Sequence, residues 1–232
     1  MNRIVLEGYI VISVMIAITD ILLAIQSVKK NKTTGRFLGL ACAAAALVDI
    51  SYLISIISKS YLNMSIMSSV YFVGIDFMLV CLLMFTVYFT KGRFSKYGRL
   101  AVGFCYLYSF YELVIFAINP FKEIAIGYVE RDTFIAGYIY RMKPLYYMHL
   151  VFSYSLVVIV LFLLVRKMCR IPREYRSQYS CVIIGIAMIV LVNGVFLFLP
   201  GNNVYNLLDY SICGYSLISF LIYWSCFNYS TH

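Results

Sequence analysis

Seven long runs of apolar residues alternate with short polar stretches along this chain. They cover approximately Gly8–Val28, Phe37–Ser58, Ile66–Thr90, Leu100–Ile118, Leu145–Val165, Gln178–Leu199 and Asn206–Phe227. Each is long enough to cross a bilayer as a helix, since about 20 apolar residues suffice. The alternating ten-residue segments of a membrane β-barrel are absent. The pattern predicts an all-α membrane protein, a seven-transmembrane helix bundle occupying residues 1–232 as one domain.

The polar stretches between the runs set the expected orientation. Lys29, Lys30, Lys32 and Arg36 follow the first run. Lys91, Arg93, Lys96 and Arg99 follow the third. Arg166, Lys167, Arg170, Arg173 and Arg176 follow the fifth. These three alternate loops hold thirteen of the nineteen basic residues. The other side carries Arg3, Lys59, Lys122, Arg131, Arg141 and Lys143, partly offset by Glu123, Glu130 and Asp132. The positive-inside rule then places the N-terminus outside and the C-terminus in the cytoplasm. The first run has only Arg3 ahead of it, a strongly basic trailing side and Asp20 within it. That reverses the signal-peptide charge pattern and predicts a retained span.

Composition narrows the function classes. Of the 232 residues, 63% are hydrophobic and 12% charged, with mean hydropathy +0.88. An ordinary globular domain is about 45–50% apolar and about 25% charged. A cytosolic enzyme, a secreted module and a disordered regulator are thereby excluded. The net charge of +9 is expected to face an anionic membrane surface, not nucleic acid. The seven cysteines include no C-x-x-C pair and none lies in an expected outer loop. They are expected to be small packing residues.

Two local features leave alternatives open. The second outer loop, Asn119 to Pro144, is long and tyrosine-rich, and loops of this length are usually functional or self-packed. It can cap an outward-facing cavity or lie along the headgroups. Tyr128, Tyr138, Tyr140, Tyr146 and Tyr147 fit, for the most part, an interfacial aromatic belt. Gly35, Gly39 and Ala43, followed by Ala44, Ala45 and Ala46, let helix backbones approach closely. That contact is expected inside the bundle, with a contact between protomers as the other reading.

Intramembrane carboxyls carry the functional expectation, because a charge at the bilayer centre costs about 2.5–3.5 kcal/mol on insertion scales. Asp20, Asp49, Asp76, Glu112 and Asp209 stand out, and no lysine or arginine lies deep in a span. Each is either functional or a neutral hydrogen-bonding group between helices. Glu112, His149, Asn193 and Asp209 all fall in the expected outer half. Asp49 and Asp76 fall nearer mid-membrane and Asp20 toward the cytoplasm. An outward-facing cavity lined by Glu112, His149, Asn193 and Asp209, with Tyr154 one turn deeper, is the expected ligand site. Its ligand is expected to be cationic or hydrogen-bond-donating.

Catalysis is not expected. The two histidines, His149 and His232, cannot form a histidine-rich metal site. No H-E-x-x-H, G-x-S-x-G or P-loop occurs. Gly74-Ile75-Asp76 lacks the second glycine of an intramembrane aspartyl protease element. The last span has no lysine for a retinal Schiff base. No metal or cofactor is expected.

From the third span onward the motifs resemble the bacterial N-terminal seven-transmembrane sensor region found ahead of histidine kinases and diguanylate cyclases. Tyr88-Phe89-Thr90 with its basic loop opens the similarity. Asn119-Pro120-Phe121 is similar to the family's Asn-Pro-Leu, with Lys122 and Glu123 where histidines usually follow. Lys143-Pro144-Leu145-Tyr146-Tyr147-Met148-His149 and Ser153-Tyr154 resemble the element opening span five. Tyr175-Arg176-Ser177-Gln178, Asn193 and Asp209-Tyr210-Ser211-Ile212 resemble later motifs. The resemblance implies a multi-pass inner-membrane sensor that detects a small molecule or membrane state. The signal would pass through the seventh helix to a cytoplasmic kinase or cyclase output. It also implies the homodimer that such outputs commonly require. No soluble output domain is expected within these 232 residues, so the chain is expected to be a sensor fragment or to act on a separate partner. The main alternative is a small transporter or channel that uses the carboxylates as a proton or cation path. A structural membrane partner is a third reading.

Overall fold

A computed structural model of the chain describes residues 3–30, 33–91, 96–130 and 138–198, together with Tyr223. Six helices follow one another: α1 (Arg3–Lys29), α2 (Thr33–Ile57), α3 (Tyr61–Lys91), α4 (Lys96–Lys122), α5 (Pro144–Met168) and α6 (Arg173–Phe198). Among the described residues, α1 to α5 are long and apolar enough to cross a membrane. The helices begin up to about five residues ahead of the apolar runs. Hydropathy marks the part that sits in oil, whereas backbone hydrogen bonding continues into the polar boundary. The seventh predicted run lies outside the described residues apart from Tyr223.

One element departs from the all-α expectation. The second outer loop holds an antiparallel hairpin, β1 (Ile126–Glu130) and β2 (Tyr138–Met142). Ile126 pairs with Met142 and Glu130 with Tyr138. Both strands are rich in β-branched and tyrosine residues, which favour a pleated, half-buried surface. α4 stops just before it, where Glu123 takes a left-handed φ of 46°. The Glu123 N–H still reaches the Asn119 carbonyl at 2.8 Å. Pro144 then occupies the first turn of α5, where its missing N–H breaks no helical bond.

The surface is inside-out relative to a soluble protein. On α1, Ser13, Asp20 and Ser27 recur every seven residues and are buried, while Met15, Ile18, Leu22 and Ile25 are exposed. On α4 and α5, Leu107 and Val151 are each 68% exposed, and Glu112 and His149 are buried. A continuous apolar exterior of this extent is stable only in lipid. The chain is a multi-pass membrane protein.

α2 packs against α1 and α3, α3 also packs against α4 and α5, and α6 packs against α5. Small residues set the closeness. A β-carbon added to Gly39 meets Val28 Cγ2 at 2.6 Å and the Ala24 carbonyl at 3.0 Å. One added to Gly74 meets Val48 Cγ2 at 2.8 Å. Gly35 and Gly39 therefore work inside the bundle, as expected, whereas Ala43 faces outward.

Ring contacts fix which ends lie together. Phe37 stacks on Tyr88 at 5.4 Å and Tyr179 lies 4.8 Å from Phe89. These contacts bring the starts of α2 and α6 to the end of α3, so the three basic connections gather at one end. Tyr61 donates a hydrogen bond to Glu123 Oε1 and meets Tyr128 edge-on at 5.7 Å. The start of α3, the end of α4 and the hairpin therefore share the opposite end.

Candidate functional site

Three helices each deliver one ionisable side chain to a single point: Asp76 from α3, Glu112 from α4 and His149 from α5. His149 Nδ1 lies 2.7 Å from Glu112 Oε2 and 3.1 Å from Asp76 Oδ2. The side chains of His149, Glu112 and Asp76 are 4%, 4% and 2% exposed. Ser153, one turn beyond His149 on α5, donates to Asp76 Oδ1 at 3.0 Å. One imidazole nitrogen thus faces two carboxyl groups. Nδ1 carries at most one hydrogen, which it either forks between both acceptors or yields to accept one from a protonated carboxyl.

The imidazole is held from several sides. The rings of Phe72, Phe116 and Tyr146 lie 5.5, 5.4 and 5.7 Å from it. Phe72 and Phe116 stack on each other at 5.3 Å, both nearly perpendicular to the imidazole. Their fit fixes the direction in which Nδ1 points. Tyr146 is buried at 5%, so it belongs to this box and not to an interfacial belt. Tyr147, on the same helix, is exposed.

The hairpin is anchored directly to the same packing unit. Asn119 is fully buried. Its Oδ1 accepts from the Ala125 and Ile126 N–H groups at 2.8 and 2.9 Å. Its Nδ2 donates to the Ile126 carbonyl at 3.1 Å. Ala125 and Ile126 enter the core that also contains Phe72, Phe116 and Tyr146. At the surface, the Lys143 ammonium donates to the Glu123 carbonyl and lies 3.7 Å from its carboxylate. Glu123 thereby links α3, through Tyr61, to the start of α5.

The expected ligand site is assembled only in part. Glu112 and His149 meet. Asp76 joins them. α3 begins earlier than its apolar run and stands taller than α5. Asp76 lies about 22 Å of helical rise from Tyr61, against about 8 Å from Pro144 to His149. Tyr154 is half-buried, and Ser153 supplies the cluster's hydroxyl instead. Asp20 and Asp49 are buried on α1 and α2 and are not part of this cluster. Asn193 lies on α6, but its side chain lies outside the described residues, as does Asp209.

A family model described as the N-terminal 7TM region of histidine kinase matches residues 10–231. The chain belongs to this family. No curated protein matches it. The matched family is the transmembrane N-terminal region of histidine kinases, distinct from their kinase domain. In this 7TM region the histidine of the span-five motif is the residue around which the polar cluster is built. Three members of the site escaped sequence reasoning. Ser153 follows His149 by four residues, which is same-face helical spacing and was a usable signal. Phe72 and Phe116 carried no such signal, since an aromatic residue in an apolar span reads as ordinary packing. Among the described residues, Asp76, Glu112 and His149 are the one group of metal-donor side chains, with ligand atoms within 4.8 Å of one another.

Proposed function

We propose that this chain is a seven-span sensor with its N-terminus outside and its C-terminus in the cytoplasm of a bacterial inner membrane. In this reading residues 1–232 form one sensor domain. Its stimulus is read at the cluster of Asp76, Glu112 and His149, with Asn193 and Asp209 completing the site from the sixth and seventh helices. The hairpin is its outer cover. The reading is carried by one observation: three helices of a histidine kinase 7TM region converge on a buried polar point. A ligand that binds two arrangements of α3, α4 and α5 unequally shifts the population between them. The seventh helix passes the shift to a kinase or cyclase output, in the same chain or a partner, and a dimer of sensors suits that output.

Two measurements test this. Cysteines placed near Tyr61 or Gly127 should react with impermeant thiol reagents in intact cells, and those near Lys30, Lys96 or Arg173 should not. Joined to a kinase output, the chain should alter autophosphorylation when candidate cationic ligands are added outside. His149→Gln should abolish that response while the protein still inserts. Substrate accumulation in proteoliposomes driven by a proton gradient would instead establish transport and end the sensor reading.

A further inference from the structure

We propose that Asp76, Glu112 and His149 form a binding site for one divalent first-row transition cation, with Mn2+ and Zn2+ the best-matched occupants. This deepens the sensor reading, on which its signalling role rests, by naming the ligand class of the same cluster.

The first argument is spacing. Metal–ligand bonds to imidazole nitrogen and carboxylate oxygen are about 2.0–2.2 Å long, which puts neighbouring donors of one coordination shell about 2.8–3.5 Å apart. His149 Nδ1 stands 2.7 and 3.1 Å from one oxygen each of Glu112 and Asp76, and the whole donor set fits within 4.8 Å. An ion needs only a small outward shift of these atoms.

Charge supplies the second argument. Two carboxylates converge where the described ion pairs include no lysine or arginine. An imidazolium offsets only one of them. A dication offsets both and leaves the imidazole neutral, the form in which it ligates metals. In a low-dielectric interior that difference favours a doubly charged occupant.

The surroundings are those of an oriented ligand set. Ser153 holds Asp76 through the oxygen that does not face His149, and three rings fix the imidazole. Partners of this kind orient the atoms that touch a metal. One nitrogen with two carboxylate oxygens points away from Ca2+ and Mg2+, which take oxygen alone. It also points away from Cu(I), which takes sulfur.

The test uses the full chain in lipid nanodiscs, carrying His232→Ala so that His149 is its one histidine. Mn2+ is titrated and followed by electron paramagnetic resonance, and Zn2+ by calorimetry. The expected result is one ion per chain, with nitrogen modulation from a single imidazole on bound Mn2+. Glu112→Gln and Asp76→Asn should each weaken binding at least tenfold, and Glu174→Gln, on the surface of α6, should leave it unchanged. Absence of saturable uptake of either ion overturns the proposal. So does bound Mn2+ without the nitrogen signal, a reading on the unsubstituted cluster that stands even if the variants fail to fold. Binding is measured without an output domain. Intact binding with no effect on kinase output would therefore count against the sensor reading alone.

Discussion

The two sides of α3 are packed by different means. Toward α2, α3 is held by backbone closeness: Gly74 admits Val48, as Gly39 admits Val28 and Ala24 between α2 and α1. Toward α4 and α5, it is held by polar groups and rings. Lipid tails are as apolar as leucine, so helices in a membrane associate through close packing or through polar contacts. Close packing of small residues tolerates little displacement. Directional bonds to one imidazole can be exchanged for others, so the proposed sensor reading puts its two arrangements on the α3–α4–α5 side.

The largest effect should come from His149→Ala, which removes the shared partner of two buried carboxyls. Uncompensated buried charge costs about 3–5 kcal/mol, so thermal unfolding in detergent should shift strongly downward. Removing a carboxyl in addition, as His149→Ala with Glu112→Gln, should recover part of the loss. A single mutant as stable as the parent would show that the cluster bears no structural load. Next, Asn119→Ala leaves the Ala125 and Ile126 N–H groups without their acceptor, at about 1–3 kcal/mol for each buried unsatisfied group. Hydrogen exchange at those two amides should accelerate before that of α2 or α3. Gly74→Leu probes the other side of the comparison. Overpacking costs about 1–3 kcal/mol, whereas Gly103→Leu, on an exposed face of α4, should change the unfolding midpoint little. Equal effects at both glycines would show that close backbone approach is not what holds α3 against α2. The smallest change is Ser153→Ala, about 0.6 kcal/mol, the average for a hydrogen bond between membrane helices.

Much of this fold was readable because its physics is one-dimensional. Apolar runs and alternating basic loops identify helices and their order without knowledge of any contact. Glu112 and His149 were legible as site residues because a polar group in oil needs a reason. The hairpin was missed because its strands, five residues each, look like polar loop beside spans four times longer. The meeting of Asp76 with Glu112 and His149 was not legible because sequence position along one helix does not reveal how far its neighbours are offset from it. Tyr146 was read as interfacial by its position near the start of α5, yet the side toward which a helix turns is decided by its neighbours. The partnering of both carboxyls with one imidazole is a three-helix property, and no spacing within one chain segment encodes it.

The length of α3 has a consequence for the choice of lipid. Its 31 residues rise about 46 Å, whereas a hydrocarbon core is about 30 Å thick. α2 and α5, with 25 residues each, rise about 37 Å. A thicker bilayer therefore exhausts the reserve of α2 and α5 while α3 still overhangs, and each ångström of mismatch costs a fraction of a kcal/mol. Acyl-chain length thus acts unequally on neighbours, altering the tilt of α5, which carries His149, relative to α3, which carries Asp76.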